Sequence, residues 1–367
     1  MKDRKTVLHV RIVSGRGGGP EKTILNSARF LEGTEYRSIA VYLHAPGDPG
    51  IEDLAAKARE KKSPFVALTD EKLIDFGTLK ALRELCQREN VTIWHGHDYK
   101  SNLYGWMLRK KCGLQLVTTV HGWVKHTKKT PIYFAVDRWC IRRYEQVVCV
   151  SRDLESKCAD FGVKRDRLHH IANAIDTEEF KKRPKPEHES ERIVIGAVGR
   201  LSDEKGFDLL ISAIAQLVSE GMDLELRIAG EGDERDALIE HARESNIADR
   251  VKLLGFERDT AGLFASFDLF CLSSLREGLP NVVLEAMAME IPVLATRCGG
   301  MESFATDREE ALLCEAGSEQ ALTDGLRELM NDGNLQAALA KTARARIERD
   351  FSFAARMQRL AKVYDQL

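Results

Sequence analysis

The stretch RIVIGAVGRLSDEKGFDLLISAIAQLVSEGMDLELRIAG, residues 192–230, decides the fold class. It opens with a β-branched apolar run, Ile193–Val198, and closes with a second one, Leu224–Ile228. Between them, Gly206–Glu220 places its apolar residues on one helical face. A strand, a helix and another strand in this order are typical of a parallel sheet that is covered by helices on both faces.

The same alternation of short apolar runs and longer helical segments continues along all 367 residues. We therefore predict an α/β protein with two doubly wound, Rossmann-like domains that face a cleft. The other candidate strands are Thr6–Val13, Ser38–Tyr42, Val91–Trp94, Leu116–Val120, Val147–Val150, Val251–Leu254, Leu269–Leu272 and Pro292–Ala295.

A charged linker separates the two predicted domains. FKKRPKPEHESER, Phe180–Arg192, contains two prolines, many charges and almost no apolar residues. We predict an N-terminal domain, a linker, a C-terminal domain, and a last amphipathic helix that could pack back on the N-terminal domain. Their ranges are 1–180, 181–191, 192–349 and 350–367. Ligands of such folds collect at the carboxyl ends of strands and at domain interfaces, so the cleft is the expected site.

Composition narrows the class of protein. Lys plus Arg is 55 and Asp plus Glu is 57, so the chain lacks the basic signature of a nucleic-acid-binding protein. We find no apolar run long enough to span a bilayer, and the N-terminal residues do not resemble a signal peptide. The eight cysteines show no metal-like spacing, which favours reduced core residues in a cytoplasmic protein.

Two loops that follow strands have the features of anion-binding sites. SGRGGGPEKT, Ser14–Thr23, is rich in glycine and opens a helix whose free N–H groups favour phosphate, although a plain tight turn explains the same glycines. GRLSDEKGFD, Gly199–Asp208, carries Arg200 and Lys205 beside a helix start, where two cations suit a diphosphate. Solvated ion pairs within that loop are the alternative.

A pair of glutamates marks a third loop. In REGLPNVVLEAMA, residues 276–288, Glu277 lies in the loop, and Glu285 lies one to two turns into a helix that should be mostly buried. Pro280 suits the first helical position, and the amides of residues 278–282 can point at phosphate. A buried carboxylate needs a partner, which could be a neighbouring backbone group or a bound ligand.

The histidines are weaker signals. His121 follows a predicted strand, where a lone histidine is often structural. His95, His97 and Asp98 in WHGHDYKS could look like metal ligands, but no further ligand is suitably spaced, so we predict a cleft wall or an acceptor contact and no metal.

Several of these motifs occur together in one enzyme family. GRLSDEKGFDLL, RIAGEGDERDAL, VKLLGF, EGLPNVVLEAMA and PVLAT closely resemble the C-terminal domain of family-four retaining glycosyltransferases of the GT-B fold. GGGPEK, HGHDYKSNLYG, VTTVHGW, VCVSRDL and ANAID agree more loosely with the N-terminal domain of that family. The chain departs from the family pattern in three places. Ala174 and Glu290 stand where the family usually has glycine, and Glu302 lies one residue before the usual acidic position, so we assign it no role.

The resemblance implies roles for individual residues. Arg200 and Lys205 would hold the diphosphate of a nucleotide-sugar donor, Glu285 would bind the ribose hydroxyls, Glu277 would face the transferred sugar, and His121 would lie beside that sugar. The catalytic set would be His121, Glu277, Arg200 and Lys205. Further donor-binding residues would be Gly17, Gly18, Gly19, Gly232, Gly255, Phe256, Gly278, Leu279, Pro280, Asn281 and Val282.

The resemblance also implies a reaction. The chain has no Asp-x-Asp motif, so protein cations and a helix N-terminus would replace a metal at the leaving diphosphate, and no cofactor is expected. The implied function is retaining, metal-independent transfer of a hexose from a nucleotide-diphosphate sugar to a glycan or lipid-linked acceptor, in polysaccharide or glycoconjugate biosynthesis. A nucleotide-sugar epimerase of the same fold and a catalytically silent nucleotide-sugar-binding module are the alternatives.

The stretch 98–145 is the one region that suggests a surface partner. It contains ten basic residues, three acidic residues and interleaved aromatic residues, a combination that can seat a protein on the inner face of an anionic membrane. A solvated helix face above an ordinary core is the competing interpretation.

Overall fold

The computed structural model describes residues 4–15, 19–122, 130–184, 192–277 and 279–367. These residues divide into two compact units. The first contains the chain up to Asn173 together with Phe353–Leu367, and the second is Ala174–Ser352.

Strands and helices alternate through both units. The strands are β1 Lys5–Val13, β2 Tyr36–His44, β3 Phe65–Thr69, β4 Val91–Gly96, β5 Gln115–Val120, β6 Gln146–Cys149, β7 Leu168–His170, β8 Ile193–Val198, β9 Leu224–Ala229, β10 Val251–Gly255, β11 Leu269–Leu272, β12 Val293–Thr296 and β13 Leu312–Cys314. The helices are α1 Gly19–Phe30, α2 Gly50–Glu60, α3 Phe76–Arg88, α4 Tyr99–Cys112, α5 Thr130–Ile141, α6 Arg152–Asp160, α7 Phe207–Ser219, α8 Arg235–Glu244, α9 Thr260–Ala265, α10 Asn281–Ala288, α11 Gly300–Phe304, α12 Glu319–Asn331, α13 Gly333–Arg346 and α14 Phe353–Tyr364.

Each unit is built on one parallel sheet. Among the described residues, the first sheet has the order β3-β2-β1-β4-β5-β6-β7 and the second has the order β10-β9-β8-β11-β12-β13. Every recorded pairing between these strands is parallel. In each sheet the chain starts in the middle, builds to one edge and then returns to build the other, so both units are doubly wound, Rossmann-like α/β domains. This confirms the fold class that the strand–helix alternation predicts.

Apolar side chains cover both faces of each sheet. In the first unit, Leu8 and Val10 of β1 pack with Tyr104 of α4, whereas Val13 at the end of β1 packs with Ile24 of α1 on a separate core. Burial on both faces explains why the strands have nearly continuous apolar sequences rather than alternating ones. The reversal of strand order lies between β1 and β4 in the first sheet and between β8 and β11 in the second, and these are the positions where such folds bind ligands.

The division between the units falls at Asn173, ahead of the boundary at 180 that was predicted from the linker. The segment after Asn173 belongs to the second unit because Phe180 is buried in its core, against Phe264. The Nη1 atom of Arg344 also donates to the Phe180 carbonyl at 2.8 Å. Of the predicted linker, residues 181–184 are exposed, and the rest lies outside the described residues.

Helix α14 returns the chain to the first unit. The Tyr36 hydroxyl donates to a carboxylate oxygen of Asp365 at 2.6 Å, and Phe353 stacks on Phe30 of α1 with 5.7 Å between ring centroids. The buried guanidinium of Arg356 donates through Nη1 to the carbonyl of Ile171 at 2.8 Å. The last helix is therefore part of the first unit's core.

The two departures at positions where the family usually has glycine have different consequences. Glu290 follows the end of α10 with φ of 58°, the left-handed conformation that favours glycine, so this position carries the strain expected from its sequence. Ala174 does not have a positive φ, so its backbone has no such strain.

Candidate functional site

In the second unit, two loops leave adjacent strands at the point where strand order reverses. The loop that carries Lys205 follows β8, and the loop that carries Glu277 follows β11, its neighbour in the sheet. Because both strands are parallel, both loops emerge at the carboxyl edge. The fold therefore brings together two predicted site residues that are far apart in sequence.

Lys205 and Glu277 form an ion pair. The Nζ atom of Lys205 contacts Oε1 of Glu277, and the same oxygen accepts a hydrogen bond from the Ser274 hydroxyl at 3.0 Å. The two charged side chains are 18% and 15% exposed, so the pair is partly screened from water but can be reached from solution. The lysine charge is thus held in a defined place before any ligand arrives.

The backbone of both loops is fixed independently of the ion pair. The Ser273 hydroxyl donates to the Lys205 carbonyl at 2.8 Å, and the Gly300 amide donates to the Glu277 carbonyl at 3.1 Å. Gly206 has φ of +59°, and a Cβ there would lie 2.5 Å from the Ser273 carbonyl oxygen. Only glycine can therefore follow Lys205 without moving the two loops apart.

Arg200 is placed differently from Lys205. Its side chain is exposed, and no hydrogen bond or ion pair to another described residue is recorded for it. It directly follows Gly199, whose amide is bound to the carbonyl of Ala229 at the end of β9. The structure therefore places Arg200 at the same carboxyl edge as Lys205, with a side chain that is available to an anion.

Helix α10 begins immediately after the Glu277 loop. It starts at Asn281, one residue later than the helical start predicted at Pro280, which instead has an extended backbone and precedes the helix. The first amides of a helix have no partner within it, so they remain available to an anion at this end. Leu279 and Val282 pack against the core below, and Gly278 lies outside the described residues.

Glu285 lies within α10 and is only 4% exposed. Its neighbours along the helix, Leu284 and Ala286, are fully buried. A carboxylate in these surroundings is costly unless polar groups meet it. The predicted placement, a buried glutamate one to two turns into a helix, is what the structure has.

Three further glycine positions lie at the same edge of the second sheet. A Cβ at Gly232 would be 2.1 Å from the Leu201 carbonyl oxygen, and Gly255 has φ of +75°. The Gly230 amide donates to the Gly255 carbonyl at 2.8 Å, which joins the loops after β9 and β10. Phe256 presents a ring that is 57% exposed, a flat apolar surface beside these close backbone approaches.

The first unit contributes histidines rather than an ion pair. His9 of β1 is the register partner of His95 of β4, and their rings stack with 4.7 Å between centroids. The Nδ1 atom of His9 lies 3.0 Å from Nε2 of His97, and Nδ1 of His97 lies 3.1 Å from Nε2 of His121. His121 follows β5 and is half-buried, whereas His9, His95 and His97 are buried.

These rings are held in their neutral forms. Burial, assisted by the charge of Arg356, lowers the pKa of His9 to about 3. Burial likewise holds the pKa values of His95, His97 and His121 well below the usual 6.5. The charge of Arg11 adds to this effect at His97 and at His121.

The structure supplies the third histidine that spacing alone did not reveal. Among the described residues, His9, His95 and His97 offer ring nitrogens that all lie within 4.8 Å of one another. The ring nitrogens of His95 lie 2.7 Å from the Tyr364 hydroxyl and 2.8 Å from the Thr119 hydroxyl. A cation here would have to break these bonds and those between histidines.

The positive charges near the histidine cluster also disfavour a metal ion. The guanidinium of Arg356 lowers the pKa of His9 and of His95, and that of Arg11 lowers the pKa of His97. A dication would meet the same repulsion from both guanidinium groups. The cluster therefore fits a hydrogen-bonded histidine network better than a metal centre.

The glycine-rich loop of the first unit is only partly described. Gly15 has φ of +65°, and its amide donates to the Asp48 carboxylate at 2.9 Å. Gly17 and Gly18, two of the predicted donor-binding residues, lie outside the described residues, and Gly19 is the first residue of α1.

Two family models together match most of the chain. The model described as Glycosyltransferase Family 4 matches residues 17–179, and the model described as Glycosyl transferases group 1 matches residues 178–346. The chain belongs to glycosyltransferase family 4. The two models meet near the division between the units, so each matches one Rossmann-like domain of the family.

The chain is also similar to curated proteins. Over 213 residues the chain is 30% identical to the lipopolysaccharide core biosynthesis glycosyltransferase LpsE of Rhizobium meliloti. The aligned region covers 58% of this chain and 61% of LpsE. Over 304 residues it is 27% identical to the N-acetyl-alpha-D-glucosaminyl L-malate synthase of Bacillus anthracis, which covers 80% of the chain and 78% of the synthase. The match thus spans less than two thirds of the length of LpsE.

A solved structure supports the fold. The Anabaena protein Alr3699/HepE, in a crystal structure with UDP, superposes with a TM-score of 0.80 at 20% identity, covering 99% of this chain and 100% of that one. The likeness confirms the two-domain GT-B fold of this family member.

Proposed function

We propose that this family 4 member is a retaining, metal-independent glycosyltransferase. It transfers a hexose from a nucleotide-diphosphate sugar to a glycan or lipid-linked acceptor. The observation that carries the proposal is the ion pair of Lys205 and Glu277 beside the start of α10, in which Glu285 is buried. A cation, free helical amides and two carboxylates are the groups that a charged diphosphate and hydroxyl-rich sugars need.

Each group has a task on the donor. Lys205 and Arg200 bind the diphosphate, with the first amides of α10, because negative charge builds there as the sugar leaves. Glu285 accepts hydrogen bonds from the ribose hydroxyls, and Glu277 accepts them from the transferred sugar. The base lies against the backbone near Gly232 and Gly255, with Phe256 as an apolar surface.

The bond changes balance without a bound cofactor. The bond between the anomeric carbon and a diphosphate oxygen breaks, and the acceptor hydroxyl oxygen forms a bond to the same carbon on the same face. The hydroxyl proton passes to an oxygen of the departing diphosphate. Lys205 neutralises charge on that leaving group, and the carboxylate of Glu277 stabilises the positive charge that develops on the sugar ring.

One relative supports the acceptor class. LpsE is a glycosyltransferase of lipopolysaccharide core biosynthesis, which favours a glycan or lipid-linked acceptor and a role in glycoconjugate assembly. The synthase from Bacillus anthracis has a different acceptor, L-malate, in its name, so the family alone does not choose between acceptors.

A peripheral membrane contact is the proposed way to reach a lipid-linked acceptor. On α4 and α5, Trp106 and Trp139 are 39% and 37% exposed, their rings lie edge to face, and the Arg143 guanidinium lies 3.9 Å from the Trp139 ring centroid. Lys110 and Lys111 are exposed beside them. Aromatic rings and cations in one patch suit an anionic lipid surface.

Several basic residues of the stretch 98–145 do not belong to this patch. Lys100 is buried and paired with Asp70 at 2.8 Å, and Arg109 is paired with Glu145. Lys125, Lys128 and Lys129 lie outside the described residues. No helix formed by the described residues is both long and apolar enough to cross a membrane.

A thermal-shift screen tests the donor proposal. A ligand that binds the native state raises the melting temperature in proportion to its affinity and concentration. We expect one nucleoside diphosphate and its sugar to stabilise the chain above all other bases, and expect Lys205→Ala to lose that shift. If no nucleoside diphosphate or nucleotide sugar raises the melting temperature, the proposed function is wrong.

A further inference from the structure

Three histidines of the first unit form one hydrogen-bonded chain. It runs from His9 Nδ1 to His97 Nε2 at 3.0 Å, and from His97 Nδ1 to His121 Nε2 at 3.1 Å. A neutral imidazole carries one N–H and one acceptor nitrogen. Each bond needs one donor and one acceptor, so the three rings must all be protonated at Nδ1 or all be protonated at Nε2.

His9, the buried end of this hydrogen-bonded series, decides between the two arrangements. His9 is 1% exposed, and its Nε2 atom has no hydrogen-bond partner among the residues that the structure describes. With Nε2 protonated throughout, the buried N–H of His9 would lack an acceptor, which is costly. With Nδ1 protonated throughout, Nε2 of His9 carries a lone pair, and His9 has no buried N–H without an acceptor.

The surroundings of His9 keep its ring neutral. Burial, with a contribution from the charge of Arg356, lowers the pKa of His9 to about 3, so the ring carries a single N–H at neutral pH. The position of that proton therefore depends on which ring nitrogen has a hydrogen-bond partner.

We propose that His9 fixes the tautomer of His121, so that His121 is a neutral hydrogen-bond donor through Nδ1 and cannot act as a base at that atom. His9 and His97 are then positioning residues that act through His121. That the Nδ1–H is offered to an oxygen of the donor or acceptor sugar rests on the proposed function. The tautomer itself does not depend on that function.

Nitrogen-15 NMR of the histidine rings tests the proposal on the full chain without ligand. We expect the His121 signals to show a protonated Nδ1 and an unprotonated Nε2, with the same pattern for His97 and His9. A protonated Nε2 at His121, a mixture of tautomers, or a charged ring near pH 7 would overturn the proposal. The measurement needs no substrate, so an enzyme that failed the thermal-shift screen could still show the Nδ1 tautomer.

Two variants separate a positioning role from a structural one. His9→Leu removes the inner donor, and we expect His121 to become a mixture of tautomers. Thr119→Val is the matched control. Among the described residues, the Thr119 hydroxyl is hydrogen-bonded to His95, which is not one of the three linked histidines, so His121 should keep the wild-type signals. If sugar transfer is established, we expect kcat to fall about tenfold in His9→Leu, the order of one lost hydrogen bond. An unchanged His121 tautomer in folded His9→Leu would contradict the role assigned to His9.

Discussion

Lys205 and Glu277 neutralise each other in the ligand-free protein: the lysine Nζ contacts Oε1 of the glutamate, and the Ser274 hydroxyl donates to the same oxygen. The pair keeps a cation in position at the edge of the second sheet. Under the proposed function, an incoming diphosphate would compete with a carboxylate for the lysine, and Glu277 would have two roles that kinetics can separate.

Glu277→Gln should separate diphosphate binding from turnover. Without the carboxylate charge, Lys205 is free to bind phosphate, so we expect the affinity for the nucleoside diphosphate to stay equal or rise. We expect kcat to fall by roughly 10²–10³, because developing charge on the sugar loses its stabilising partner. Isothermal titration and steady-state kinetics measure the two effects.

Ser274→Ala is the control for this variant, because it keeps the charge of Glu277 and removes only the hydroxyl hydrogen bond to its carboxylate, which should cost about 1.5–3 kcal/mol. Weaker diphosphate binding together with normal turnover in Glu277→Gln would show that the glutamate serves only to position Lys205.

Glu285 should determine how strongly the protein prefers a ribonucleotide to its 2′-deoxy analogue. We expect the wild type to bind the ribonucleotide more tightly than its 2′-deoxy analogue, by roughly 1.5–3 kcal/mol for a hydrogen bond to a charged group. In Glu285→Gln this difference should shrink, because the amide has one acceptor oxygen in place of two.

Titration calorimetry with both nucleotides and both proteins measures the interaction free energy between Glu285 and the 2′-hydroxyl group directly. The control is Glu319→Ala, an exposed glutamate on α12, which should keep the full difference. If Glu285→Gln discriminates between the two sugars as well as the wild type does, Glu285 is only a buried structural residue.

The histidine network should make the free energy of unfolding depend on pH. The native state keeps His9, His95, His97 and His121 neutral, with the pKa of His9 at about 3, whereas the unfolded chain binds protons near the usual 6.5. The native pKa values are lowered, so the free energy of unfolding falls as pH drops below 6.5. Each ring contributes about 1.4 kcal/mol per pH unit.

Denaturant unfolding at several pH values between neutral and mildly acidic measures this slope. His9→Leu removes one such ring, so its slope should be smaller than the wild-type slope by about 1.4 kcal/mol per pH unit. Arg356, whose charge acts on His9, His95 and His121, has a pKa of about 10, so it stays charged in this range and leaves the sign unchanged. Equal slopes in the two proteins would mean that His9 is protonated in the native state.

The patch on α4 and α5 predicts binding to anionic vesicles. Lys110→Glu combined with Lys111→Glu should weaken binding, at about 1 kcal/mol for each cation lost near the surface. Trp106→Ala combined with Trp139→Ala should weaken binding to the same vesicles through lost apolar burial. Flotation with anionic and with neutral vesicles measures both effects.

Lys57→Glu combined with Lys80→Glu is the matched control, since both lysines are exposed on other helices of the first unit. Equal binding by the wild type and both patch variants would remove the proposed membrane contact.

The sheets were predictable from sequence because buried parallel strands have long apolar runs. Strands such as Ile193–Val198 and Leu269–Leu272 have the predicted bounds. Three strands were missed: Phe65–Thr69, Leu168–His170 and Leu312–Cys314. Each lies at an edge of its sheet, where a strand pairs on one side and can be short, so its apolar signal is weak.

The candidate site was predictable in its parts but not in its contacts. Motif spacing placed Glu285 within a buried helix, but only the adjacency of β8 and β11 brings Lys205 to Glu277. His9 was missed because nothing in the sequence near it indicates a site. It becomes a neighbour of His95 through the register of β1 and β4, and such long-range pairing leaves no local signal.

The central claim is that protein cations, rather than a bound metal, stabilise the leaving diphosphate. The direct test measures sugar transfer from the stabilising nucleotide sugar in excess EDTA, with wild type, Lys205→Ala and the exposed control Lys341→Ala. We predict that wild type and Lys341→Ala keep their activity in EDTA. Lys205→Ala should lose about 2.7–4 kcal/mol of transition-state stabilisation, and added Mg²⁺ or Mn²⁺ should not restore it. Activity that disappears in EDTA and returns with a divalent cation, or full activity in Lys205→Ala, would contradict the account.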